Sequence, residues 1–244
     1  MTFHWVKTAF LALGLSVLVT GQSQAAVTIS GSRVIYPAEQ QHVGIELSNS
    51  SGTPVLVQSW LDSGDATLQP GEEALPFVIT PPVARVEAHA GQTLRLAYIG
   101  HNLPQDRESL FWLNVLEIPP KATSSEDLNT LQVALRTRIK VLFRPEGLQG
   151  SLSQAAEGLQ WRWGSMTPGG QELIAENVSP YYVNLANLQV TWSGGSNSVE
   201  AAPVPPMGQQ VFVVKNLQSS PSGANISGDW INDYGATTAI RYPL

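Results

Sequence analysis

The sequence predicts an all-β protein built from antiparallel sandwiches. Short runs rich in Val, Ile, Leu, Tyr and Trp recur along the chain, as is typical of strands. Clusters of Gly, Pro, Ser and Asp stand between these runs, where turns are expected. No stretch shows a convincing 3.6-residue period, so the sequence predicts no helix.

The predicted strands divide at one stretch rich in proline and glycine. The segment Arg144-Pro-Glu-Gly-Leu-Gln-Gly150 follows a long strand run and has the composition of a linker. We therefore expect two domains, residues 26–147 and 148–244, each large enough to bury its own core. The strand runs are, in order, VTISGSRVIY, VGIELSNSS, VLVQSWL, TLRLAYI, SLFWLNVLEI, LQVALRTRIKVLFRP, LQWRW, QELIAENV, YYVNLANLQVTW, QQVFVV and TTAIRYPL.

Residues 1–25 have the features of a cleaved signal peptide. Lys7 precedes the apolar run AFLALGLSVLV, and a small-residue stretch, SQA, ends at Ala25. The apolar run of about eleven residues is shorter than the ~20 needed to span a bilayer. We expect cleavage after Ala25, export of the mature chain and no membrane insertion.

The composition excludes several classes of protein. Cysteine is absent, which excludes disulfide-stapled scaffolds and thiol nucleophiles. The net charge of −6 gives no support for nucleic-acid binding. The four histidines are scattered, and no nucleophile elbow, dinucleotide-binding turn or P-loop is present. We therefore predict that the protein is not an enzyme and has no metal site and no cofactor.

One predicted strand, from Leu131 to Pro145, has two different faces. Its odd positions are nearly all apolar, whereas its even positions include Arg136, Arg138, Lys140 and Arg144. Four cations are difficult to bury in a central strand, so an edge or inter-domain position is expected. Two interpretations remain open: the cations protect an exposed edge against aggregation, or the edge accepts a strand from a partner.

Several motifs along the chain form one pattern. The longest is LPQDRESLFWLNVLEIPP, which the cation-bearing strand follows about ten residues later; the others are SGSRVIYP, ITPPVARVEAHAGQTLRL, SPYYVNL and INDYGA. Together they resemble the PapD-like periplasmic pilus chaperones of the chaperone/usher pathway. The resemblance implies two immunoglobulin-like β-sandwich domains arranged around an inter-domain cleft. It also implies a periplasmic protein that binds, folds and caps pilus subunits in one-to-one complexes by donor-strand complementation and delivers them to an outer-membrane usher.

The resemblance also assigns roles to individual residues. It implies that Leu131, Val133 and Leu135 are the side chains donated to an incomplete subunit. It implies that Arg33 and Lys140 anchor the C-terminal carboxylate of that subunit by charge-assisted hydrogen bonds. A buried network between the two domains is implied for three further charged residues, Glu108, Arg144 and Asp233.

On an ideal strand the donor residues and the anchor residue Lys140 cannot point to the same side. Lys140 has even parity and the donor residues have odd parity, so an ideal pleat points them to opposite faces. Strand twist, or a bulge between Leu135 and Lys140, would bring both toward one ligand. The resemblance does not assign Arg136 and Arg138, which we interpret as a solvated face that resists aggregation.

An alternative function is a secreted immunoglobulin-like adhesive or structural binding module. The seven tryptophans favour this idea, because aromatic platforms suit sugars. Five of them lie within strand patterns and are expected in the core or on a sheet face: Trp60, Trp112, Trp161, Trp163 and Trp192. The assembly state separates the two functions, since an adhesin ends in a surface fibre and a chaperone stays soluble with its subunit.

Overall fold

A computed structural model describes residues 26–100, 102–120, 133–217 and 219–244. Within these residues the chain forms two successive β-sandwiches, which confirms the predicted all-β class. The strands of the first sandwich are β1 (Val27–Ile29), β2 (Arg33–Pro37), β3 (Val43–Asn49), β4 (Val55–Asp62), β5 (Phe77–Thr80), β6 (Val83–Val86), β7 (Gly91–Tyr98), β8 (Ser109–Ile118) and β9 (Leu135–Arg144).

The first sandwich packs a four-stranded sheet on a five-stranded sheet. The strand orders are β1-β3-β7-β5 and β2-β9-β8-β4-β6. The β3 strand shows why these residues form strands, because its buried and exposed side chains alternate strictly. The core lies between the two sheets and includes Tyr36, Leu94, Leu113, Val141 and Phe143.

The second sandwich contains the remaining strands and one short helix, α1 (Leu152–Glu157). Its sheets have the orders β10-β11-β15 and β13-β12-β16-β17, and β14 also pairs with β12. The strands are β10 (Gln160–Thr167), β11 (Gly170–Asn177), β12 (Val183–Trp192), β13 (Gly195–Ser198), β14 (Pro203–Val204), β15 (Gly208–Val214), β16 (Asn225–Ile231) and β17 (Thr237–Pro243).

The helix α1 contradicts the prediction that the chain has no helix. Ser151 caps it, because the Ser151 hydroxyl accepts a hydrogen bond from the backbone N–H of Gln154. Ala155 and Ala156 face the core, and six residues are too few for a helical period to be recognised in the sequence. No helix among the described residues has both the length and the apolar character to cross a bilayer.

The β9 strand is shorter than the run that predicted it. It begins at Leu135, where Leu135 pairs with Glu117 of β8. The chain beyond Glu117 reaches Pro119 and Pro120, and proline has no backbone N–H to extend a ladder. Val133 therefore precedes the strand, and Leu131 lies outside the described residues.

Candidate functional site

The structure brings Arg33 and Lys140 together between the two sandwiches. They are register partners across β2 and β9, which pair in parallel. The Arg33 guanidinium donates to the backbone carbonyl of Ile231 at 3.3 Å, and the Lys140 ammonium donates to Asn184 Oδ1 at 2.6 Å. Both cations therefore reach residues of the second sandwich, and we call the groove that they line the cleft.

The two cations of the cleft are not neutralised by an ion pair of their own within the described residues. Burial, together with the charge of Arg33, lowers the pKa of Lys140 to about 8. Burial also lowers the pKa of Arg33, and the charge of Asp233 opposes that change. Two close cations without a direct ion pair among the described residues form a site that favours an anion.

The open edge is the segment of β9 that ends at this pair of cations. From Leu135 to Ile139 the strand pairs with β8 on one side, and no described strand pairs with it on the other. From Lys140 to Arg144, β9 pairs on that side with β2. Unpaired backbone groups along a strand edge are a template for an added strand.

Two predicted donor residues are exposed: Leu135 begins the open edge, and Val133 lies just before it. The exposed fractions of Val133 and Leu135 are 65% and 42%, whereas Ile139 and Val141, farther along the same face, are buried in the core. Large aliphatic side chains with this exposure are available to a partner. The apolar face of the stretch from Val133 to Phe143 is thus exposed at its beginning and buried in the core of the first sandwich at its end.

The charged residues Glu108, Arg144 and Asp233 form one network between the sandwiches. Arg144 donates to Glu108 at 2.6 Å and makes two bonds to Asp233 at 2.7 and 2.8 Å. Glu108 also accepts from the backbone N–H of Tyr182 at 2.7 Å. Burial raises the pKa of Glu108, and burial alone would lower that of Arg144, but bonds to Asp233 and Glu108 raise the Arg144 pKa instead.

The interpretation of Arg136 and Arg138 as a merely solvated face is wrong. Arg138 pairs with Asp62, which has no exposed surface, and Arg136 donates to Asn114 at 2.6 and 2.9 Å. Asn114 donates in turn to Asp62 at 2.7 Å. Burial opposes ionisation of Asp62, but the bonds from Arg138, Asn114 and a backbone N–H outweigh it and keep the Asp62 pKa low.

Two tryptophans complete the packing behind the open edge. The guanidinium of Arg136 lies 4.8 Å from the ring centre of Trp60, and that of Arg138 lies 4.1 Å from the ring centre of Trp112. The Lys140 ammonium lies 5.5 Å from the same Trp112 ring. The side chains of Arg136, Arg138 and Lys140 therefore pack on the tryptophan rings of β4 and β8. These contacts hold β9 against its neighbouring strands next to Leu135.

The structure excludes a bulge between Leu135 and Lys140. The pairing of β9 with β8 runs from Leu135 to Phe143 without a register shift. The donor residue Leu135 and the anchor residue Lys140 therefore remain on opposite faces of the sheet. Of the two alternatives that the sequence left open, strand twist and a bulge, the bulge is therefore excluded.

The tryptophans have the environments expected of core and sheet-face residues. Trp60 and Trp230 are buried, while Trp161, Trp163 and Trp192 are partly buried against the second core.

No group of three or more His, Cys, Asp or Glu side chains within the described ranges is arranged to hold a metal ion.

Comparison with known proteins decides the family. The family model described as "Pili and flagellar-assembly chaperone, PapD N-terminal domain" matches residues 26–149, and that of the PapD C-terminal domain matches residues 154–242. The chain belongs to the PapD family of pilus-assembly chaperones. This PapD-family chain is 40% identical over 238 residues to the probable fimbrial chaperone YadV of Escherichia coli, covering 96% of each chain.

Solved structures agree with this assignment. The crystal structure of the YadV chaperone matches the PapD-family chain with a TM-score of 0.78 and 38% identity, covering 90% of this chain and 100% of that one. A structure of the Salmonella enterica SafA pilin in complex with the SafB chaperone matches with a TM-score of 0.73 and 28% identity, covering 91% and 97%. The predicted pair of immunoglobulin-like sandwiches is therefore confirmed.

Proposed function

We propose that this protein is a periplasmic chaperone that binds, folds and caps pilus subunits by donor-strand complementation. One subunit binds to one chaperone, which then delivers it to an outer-membrane usher. The observation that carries the proposal is the open edge of β9, which begins beside exposed apolar side chains and ends at Arg33 and Lys140. Relatives named as fimbrial chaperones, and a solved complex of a relative with a pilin, support it.

The geometry of the edge favours one direction for the bound strand. A strand added beside Leu135–Ile139 lies in line with β2, whose first residue, Arg33, blocks further extension. If the added strand is parallel to β9, its C-terminal carboxylate ends at Arg33 and Lys140. An antiparallel strand would place its N-terminal end there instead, which offers no carboxylate to the two cations. The cleft therefore selects a parallel strand that ends in a free carboxylate.

The opposite parity of donor and anchor residues fits this arrangement. Leu135 contacts the subunit on the core side of the sheet, and it fills the incomplete groove together with Val133 and with Leu131, which lies outside the described residues. Arg33 and Lys140 contact the end of the subunit chain, which lies in the plane of the sheet. Each large aliphatic side chain buried in the groove contributes roughly 1.5 to 3 kcal/mol, and the carboxylate fixes the register of the pair.

We predict that Val133→Asp strongly weakens subunit capture. The change replaces apolar burial by a charge that the groove leaves unpaired, and should lower affinity by at least tenfold. Val178→Asp is a matched control, because Val178 is 64% exposed and lies in the second sandwich. Co-purification with a co-expressed subunit measures the effect, and unchanged capture by Val133→Asp would show that another segment is donated.

The remaining parts of the proposal concern location and chemistry. Residues 1–25 act as the cleaved signal peptide, and the two domains are residues 26–147 and 148–244. The protein has no enzymatic activity, no cofactor and no metal, and it binds neither nucleic acid nor membrane. Membership of a chaperone family favours this function over an adhesive module. Mass spectrometry of proteins that co-purify from the periplasm tests it, with a pilus subunit as the expected partner.

A further inference from the structure

Asn184, in β12 of the second sandwich, is a buried residue whose side-chain amide has a hydrogen bond on its oxygen but none on its nitrogen among the described residues. Its exposed fraction is 1%, and its Oδ1 accepts from the Lys140 ammonium at 2.6 Å. Its Nδ2 makes no hydrogen bond with the described residues. A buried amide that keeps only its acceptor bonded is costly, so its place beside Lys140 requires an explanation.

Lys140 needs a partner because its surroundings oppose its charge. Burial and the charge of Arg33, which faces it from β2, disfavour the ammonium, whereas the Trp112 ring on β8 and Asn184 on β12 favour it. Asp233 acts on Arg33 but is itself bonded to Arg144. Among the groups that the structure describes, Asn184 Oδ1 is therefore the hydrogen-bond acceptor that holds the ammonium in the cleft.

We propose that Asn184 is a positioning residue that holds the Lys140 ammonium ready for a carboxylate. This inference rests on the proposed function, in which Lys140 binds the C-terminal carboxylate of a subunit. It adds that the anchor is assembled from both sandwiches: Arg33 and Lys140 come from the first, and the group that orients Lys140 comes from the second. The anchor is then complete only when the two sandwiches hold the arrangement seen here.

Loss of Asn184 should weaken carboxylate binding in a pH-dependent way. In the intact protein the Lys140 pKa is about 8, because burial and the charge of Arg33 lower it. Without the Asn184 acceptor the charged form loses a stabilising bond, so the pKa falls further. At pH 6.5, well below the pKa of about 8, most of the intact Lys140 is charged, and a somewhat lower pKa changes this little. At pH 8.5 only part of it is charged, and a lower pKa reduces that part strongly, so the loss of binding grows as pH rises.

The test uses two synthetic probes that differ in one group. One is a ten-residue peptide of alternating Val and Thr with a free C-terminal carboxylate, and the other is the same peptide with a C-terminal amide. Binding of each is measured at pH 6.5 and 8.5 for the intact chain, Asn184→Leu and Lys140→Ala. Asn225→Leu is the control, since Asn225 is an exposed residue of the same sandwich. Circular dichroism checks that each variant is folded.

The expected result for Asn184→Leu is a loss of about tenfold for the free-acid peptide at pH 8.5, the value of one bond to a charged group. The loss should be smaller at pH 6.5, and binding of the amide should not change. Asn225→Leu should behave as the intact chain. If Asn184→Leu does not fold, Asn184→Asp replaces it; its carboxylate would pair with Lys140 and weaken binding of the free acid at both pH values.

Three outcomes would overturn the inference: unchanged binding of the free acid, an equal loss for acid and amide, or a loss that is the same at both pH values for Asn184→Leu. A separate outcome would overturn the proposed anchor. If the intact chain does not prefer the acid to the amide, or Lys140→Ala keeps that preference, then Lys140 does not bind the carboxylate. If the preference depends on Lys140 and Asn184→Leu changes nothing, only the role of Asn184 is lost.

Discussion

Replacement of Lys140 by Ala is expected to abolish capture of a pilus subunit and to leave the fold intact. Lys140 is only half-buried and has no ion pair among the described residues, so its loss leaves no buried charge unpaired. That loss removes the one hydrogen bond that the buried Asn184 side chain makes within the described part of the chain, which costs about 1 to 3 kcal/mol of stability. In the proposed complex Lys140 provides one of two cations that bind the subunit carboxylate, and its loss removes the charge-assisted hydrogen bonds of the ammonium and leaves Arg33 as the remaining cation. Arg33→Ala should have the same effect for the same reason.

Co-purification of a co-expressed subunit with each variant from the periplasm measures this effect. Lys215→Ala is the matched control, because Lys215 is an exposed lysine of the second sandwich. Thermal unfolding followed by circular dichroism checks the fold. Normal recovery of the subunit with Lys140→Ala would contradict the anchor.

Arg144→Met is expected to lower the free energy of unfolding by about 3 kcal/mol, the cost of leaving a buried charge without its partner. The carboxylate of Glu108 has no exposed surface and would keep only the backbone N–H of Tyr182 as a donor. Asp233 would lose two bonds at the same time. The contact between the sandwiches should weaken with them, and subunit capture should fall as the cleft loses its fixed shape.

Urea unfolding measures the change in stability. Arg85→Met is the control, because Arg85 and Glu87 form an exposed pair whose side chains are 66% and 63% accessible, and such pairs contribute little. An unfolding free energy for Arg144→Met equal to that of the control would show that the network does not stabilise the fold.

The all-β class could be predicted from sequence because each strand run carries its own pattern. The helix α1 could not, since its six residues are too few to show a period and its position depends on burial of Ala155 and Ala156. The limits of β9 were also missed, because they depend on where the partner strand β8 reaches its prolines. Local patterns predict elements, whereas pairing decides where they end.

The candidate site also combines features that local sequence patterns predict with features that depend on strand pairing. Arg33 and Lys140 are far apart in sequence, and only a resemblance to a family placed them together. The bond between Arg138 and Asp62 joins residues 76 positions apart and depends on the order of β4, β8 and β9. One signal could have found it: Trp60 and Asp62 share a parity in their strand, as do Trp112 and Asn114, which gives a polar and aromatic face able to receive cations.

The closure of the open edge by β2 at Arg33 and Lys140 has a consequence for the timing of secretion. The open edge spans five residues, about 17 Å of strand, and β2 closes it at the two cations. A polypeptide still threaded through an export channel has no free carboxylate to place there. On the proposed mechanism, the chaperone therefore engages a subunit only after its last residue has left the channel, so capture reports that translocation of that subunit is complete.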